Sequence, residues 1–72
     1  MTQIIKAHGI SEKRMNEAVA CIERLAVTFK TEVEKVEVID KDSDGRMTTW
    51  IVLYSFTNGK FETLKINKKA IY

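Results

Sequence analysis

From Ser11 to about Lys30 the apolar residues Met15, Ala18, Val19, Ile22, Leu25, Ala26 and Phe29 recur at helical spacing. At about 100° per residue they fall within an arc of roughly 120°, the stripe of an amphipathic helix laid on something flat. Ser11 suits the N-cap, Glu12 the first turn, and Ile10 is placed to staple onto Met15 across the cap. The opposite face carries Lys13, Asn16, Glu17, Glu23 and Arg24, with Cys21 at the margin of the stripe. After Thr31 the period falls to two. Val36 and Val38 alternate with Lys35, Glu37 and Ile39, which predicts a strand over about Val33 to Asp40, followed by a turning loop at Lys41 to Arg46.

A second period-two stretch is interrupted by Asn58-Gly59, a strong hairpin signal because both residues tolerate the positive φ of a two-residue type I′ turn. Counting outward from that turn pairs Phe56 with Phe61, Tyr54 with Thr63, Leu53 with Leu64, Val52 with Lys65 and Ile51 with Ile66. The aliphatic face (Ile51, Leu53, Leu64, Ile66) then lies against the helix, and pairing Val38 with Ile51 extends it onto the preceding strand. Val33, Ile39, Trp50, Val52, Tyr54, Phe56 and Phe61 would project the other way, among Lys35, Glu37, Thr63 and Lys65.

The expected fold is α+β: one amphipathic helix on one face of a three-stranded antiparallel meander, in a single small domain. Its segments are an N-terminal arm or strand (1–9), the helix (11–30), the meander (33–67) and a basic tail (68–72). Thr2 to His8 reads either as a fourth strand, giving a β-α-β-β-β order, or as a short helix ended by Gly9. The helical choice would put Ile4, Gly9, Ile10 and Met15 near helix-turn-helix spacing with the strands as a wing. Such a helix has barely two turns and no third helix completes its core, so a strand or irregular arm is expected.

A chain of 72 residues buries only about 60% of its unfolded surface, and a deep catalytic cleft is hard to build at that size. No apolar run reaches the length of a signal sequence or a membrane span, and Cys21 stands alone. A reducing, cytoplasmic setting is expected. The net charge of +2 hides an uneven distribution. Residues 31–45 hold Glu32, Glu34, Glu37, Asp40, Asp42 and Asp44 against Lys35 and Lys41, whereas residues 46–72 hold Arg46, Lys60, Lys65, Lys68 and Lys69 against Glu62.

Asp40 to Gly45 reads D-x-D-x-D-G, the first half of an EF-hand loop, but the position of the closing bidentate glutamate is Ile51 and a polar turn accounts for the same residues. His8 and Cys21 are the candidate soft ligands or nucleophiles. Neither has the partners that a zinc site or a cysteine-histidine pair requires. No metal, cofactor, catalytic residue, membrane or small-molecule substrate is therefore expected.

The remaining feature is the aromatic sheet face. Trp50, Val52, Tyr54, Phe56, Phe61 and Lys65 are the expected partner-binding residues of a regulatory interaction module that captures a protein or a second copy of itself. The alternative is a nucleic-acid-binding module that stacks bases on Trp50, Tyr54 or Phe61 and meets phosphates with Lys60, Lys65, Lys68 and Lys69.

Overall fold

The computed structural model describes residues 2–69 and has the element order β1 (Gln3–Ile5), α1 (Glu12–Thr28), β2 (Val33–Asp44), β3 (Met47–Phe56) and β4 (Phe61–Lys69). The four strands form one sheet in the order β1-β2-β3-β4, with β1 parallel to β2 and the other pairs antiparallel. Within the N-terminal segment Gln3–Ile5 is thus a strand, shorter than the Thr2 to His8 span, and the α+β expectation holds with the helix packed on the sheet. Of the expected basic tail, residues 68 and 69 belong to β4 and residues 70–72 lie outside the described residues.

The helix begins where its sequence places it. Ser11 is the N-cap, its side chain accepting from the Arg14 amide at 3.2 Å, and Ile10 joins Met15 in the core. At the other end the Thr31 amide donates to Ala26 and the Lys30 amide to Val27, the paired bonds of a Schellman motif. Lys30 holds the left-handed position at φ 55° that a glycine usually takes.

The sheet register differs from the expected one, and the cause is local. Phe56 donates its amide to the Lys60 carbonyl at 2.8 Å and accepts the Gly59 amide at 3.0 Å, closing a three-residue loop of Thr57, Asn58 and Gly59. Gly59 adopts φ 90° while Asn58 stays at negative φ, so the connection is a turn followed by a glycine bulge rather than the two-residue type I′ turn. One residue of slip turns β3 over relative to its neighbours, while Val36, Val38, Leu64 and Ile66 keep the helix side expected of them. Trp50 pairs with Ile66, Val52 with Leu64 and Tyr54 with Glu62 on β4, and Val52 with Val38 and Tyr54 with Val36 on β2.

The core therefore lies between the helix stripe and the even-numbered side chains of β3. Met15, Ala18, Ile22 and Ala26 meet Val36, Val38, Trp50, Val52, Tyr54 and Phe56, with Leu64 and Ile66 half-buried at the flank. The Trp50 indole N–H donates to the His8 carbonyl at 3.0 Å, which satisfies the one polar atom of a ring that is otherwise enclosed. Val33, expected outside, is buried as well.

The expected loop at Lys41–Arg46 is also shorter than the composition suggests. β2 continues through Asp44, which pairs with Met47 across Gly45-Arg46, and Gly45 takes φ 47°. A bulge between Val38 and Asp40 sets Ile39 and Asp40 together opposite Ile51. A 17-residue helix spans about 25 Å, whereas a 12-residue strand spans about 40 Å. The tip of the β2–β3 hairpin projects past the helix N-terminus as a result.

This register makes a direct prediction. Trp50→Ala is expected to cost about 3 to 5 kcal/mol through lost burial and a cavity, whereas Leu53→Ser on the other face is expected to cost about 1 kcal/mol or less. Urea denaturation of the two variants decides it, and equal losses would contradict the register.

Candidate functional site

The sheet face turned away from the helix has no second layer among the described residues. Its rows follow from the register: Lys35, Ser55 and Phe61; Glu37, Leu53 and Thr63; Asp40, Ile51 and Lys65; Asp42, Thr49 and Asn67. Ile51 and Leu53 run down the centre, and Ile39 (42% exposed) and Phe61 (71% exposed) flank them. Gln3 and Ile5 extend the face onto β1 through pairing with Lys35 and Glu37.

Two polar pairs lie on this surface, one of them across strands. Thr49 donates its hydroxyl to Asn67 Oδ1 at 2.8 Å, and Lys35 reaches Glu37 at 3.2 Å along the same strand. The latter pair is well exposed and adds little stability. Acids of β2 occupy one side of the face and Lys65 of β4 the other, with the aliphatic column between them.

Of the six residues expected to bind a partner, Phe61 and Lys65 are on this face and exposed. Trp50, Val52, Tyr54 and Phe56 are not: all four are buried beneath the helix, with Val52 fully enclosed, which corrects the sequence-based assignment. Bases therefore have Phe61 but neither Trp50 nor Tyr54 to stack on. The residues missed are Ile51 and Leu53, together with Ile5 on β1. A signal for them was present in the alternation of β3, where Thr49, Ile51, Leu53 and Ser55 form the more polar set and Trp50, Val52, Tyr54 and Phe56 the larger apolar one.

The other candidates dissolve into structure. Asp40, Asp42 and Asp44 belong to an extended strand rather than an ion-wrapping loop, and no three His, Cys, Asp or Glu side chains among the described residues gather as a metal would require. His8 is exposed at φ 55° and serves through its backbone carbonyl, while Cys21 is a free, half-buried thiol on the helix. No described helix is long and apolar enough to cross a membrane.

Comparison with protein-family models, with curated proteins and with solved structures finds no match to this chain.

One buried phenol responds to pH. Burial, then the carboxylate of Glu62 and the thiol of Cys21, raise the pKa of Tyr54 above its ordinary 10.0. The unfolded chain thus loses that proton first, and the stabilising contribution is complete below about pH 10 and disappears as pH climbs through the folded-state value. Tyr54→Phe is expected to flatten the fall in melting temperature above that pH relative to the parent. Parallel melting curves up to strongly alkaline pH provide the check.

Proposed function

We propose that this protein is a non-catalytic interaction module that associates through its outer sheet face, with a second copy of the chain as the occupant. The reading rests on one observation: a half-buried aliphatic column of Ile51 and Leu53, with no layer over it among the described residues, lies between the β2 acids Glu37, Asp40 and Asp42 and Lys65 of β4. Uncovered apolar surface of this kind marks association sites.

The charge pattern favours self-association over a generic hydrophobic contact. Asp40, Ile51 and Lys65 occupy one row across three strands. A twofold axis running along β3 lays each row on its own reverse. Asp40 then faces Lys65 of the second copy, and the pairing occurs twice because the interface is self-complementary. Ile51 and Leu53 meet their counterparts at the centre, and the two sheets stack in the aligned manner that keeps strand directions within about 30°. Phe61 comes over the Lys35 side of the opposing sheet, a disposition suited to a cation over an aromatic ring.

In this arrangement the β-sandwich that a single sheet and helix leave half-built is completed by the copy. The regulatory role expected from the sequence would then operate through assembly, with a hetero-partner competing for the same face. A nucleic-acid partner is less well supported, because the stacking platform has moved into the core.

Sedimentation across a concentration series tests the reading. The parent protein is expected to dimerise, and Leu53→Glu to abolish dimerisation while leaving the folded spectrum intact. Asp40→Lys is expected to weaken association, and the exchange Asp40→Lys with Lys65→Asp to restore it. A parent that remains monomeric at millimolar concentration sinks the second-copy occupant, and an exchange variant no better than the single variant sinks the proposed axis.

A further inference from the structure

At the projecting tip of the β2–β3 hairpin, on the face opposite the one just described, a cavity of about 300 Å³ opens between the sheet and the segment that enters the helix. Lys41, Arg46 and Lys68 line it, with Thr48 and the edge of Trp50, and no acidic residue does. The absence of acids from the lining follows from the strand. Asp40 and Asp42 are assigned to the outer rows by their pairing with Ile51 and Thr49, and Lys41 pairs with Trp50 on the inner side. An acidic sequence thus presents a cationic surface on one of its faces.

None of the three cations is engaged in an ion pair among the described residues. The pairs present are Arg14 with Glu17 and Lys35 with Glu37, both elsewhere. Lys41 is nonetheless positioned, its Nζ standing 6.0 Å from the centre of the Trp50 ring, and that ring is itself fixed by the bond to His8. Three like charges around one hollow repel each other, and an anion in the hollow relieves that repulsion. The helix end is a neighbour rather than the basis of the site, because the Ser11 side chain already accepts the Arg14 amide.

We propose that this cavity binds a small phosphate anion, with a diphosphate group as the best fit. Its volume is at the lower end of about 300 to 1,000 Å³ for small-molecule sites. A diphosphate matches three cations in charge more nearly than a single phosphate does. Arg46 supplies the planar fork that grips two phosphate oxygens, Lys41 and Lys68 supply compact charges on flexible stems, and the Thr48 hydroxyl donates from the floor. This site is independent of the outer-face interface, since the two use opposite faces of the sheet.

Titration of the ¹⁵N-labelled chain with inorganic pyrophosphate at constant ionic strength tests the proposal. Saturable shifts are expected at the amides of Gly9, Arg46 and Thr48 and at the Trp50 indole. Arg46→Ala and Lys68→Ala should each weaken binding about tenfold, as loss of a charge-assisted bond does, while Arg24→Ala, exposed toward the far end of the helix, should change it less than about twofold. The spectra themselves verify that each variant is folded. Shifts that never saturate, or an equal loss in the Arg24 variant, would show diffuse charge attraction and overturn the site. Tighter, Arg46-dependent binding of a single-stranded oligonucleotide than of pyrophosphate would overturn the small-anion assignment in favour of a nucleic-acid backbone.

Discussion

Four side chains on alternate positions of β3, Trp50, Val52, Tyr54 and Phe56, must be kept from water, and the helix stripe is the available cover. Each such burial is worth about 1.5 to 3 kcal/mol, a large share of the stability open to a domain of this size. The stripe is shaped for that load. Two of its four buried positions are the small Ala18 and Ala26, which permit a close approach to the sheet, and two are the larger Met15 and Ile22, which supply volume. Reversing β3 would put the three aromatic rings in water and leave Ile51 and Leu53 to face the helix with Thr49 and Ser55, a much poorer core.

That constraint determines the remaining surfaces. With the aromatic face committed to the core, the outer face receives the moderate apolar residues and the charges. The D-x-D-x-D alternation is then read by the sheet rather than by an ion, acids to one side and Lys41 and Ser43 to the other. A strand sorts its residues by parity, so a run with a single dominant charge can still give two surfaces of opposite character. The bulge at Ile39–Asp40 is needed for this sorting, because it keeps Val38 inward and returns Lys41 to the inner side three residues later, where a regular strand would return Asp40.

Much of the architecture was legible in the chain. The helix, its Ser11 cap and its buried stripe follow from a period that tertiary structure had no reason to override, and the strands follow from their alternation. The register did not follow, because Asn-Gly is compatible with two loops that differ by one residue. Counting from a two-residue loop assigned Trp50, Val52, Tyr54 and Phe56 to the wrong face, although the bulk of those four side chains pointed to the core. Burial of large rings outweighs a local turn preference, and that comparison of magnitudes separates the two registers. The phosphate cavity was not legible at all, since Lys41, Arg46 and Lys68 come together only through the length of the hairpin beyond the helix.

The bond between the Trp50 indole and the His8 carbonyl gives the molecule an internal optical gauge. β1 is three residues long and is secured to β2 by parallel pairing and by the Thr2 hydroxyl, which donates to the Val33 carbonyl at 3.0 Å. Short terminal strands are the first elements to open. Trp50 is the only tryptophan in the chain, so departure of the N-terminal segment unties its ring nitrogen and wets the indole while helix and meander remain joined. The emission of one native residue therefore separates the lifting of the first strand from the unfolding of the whole.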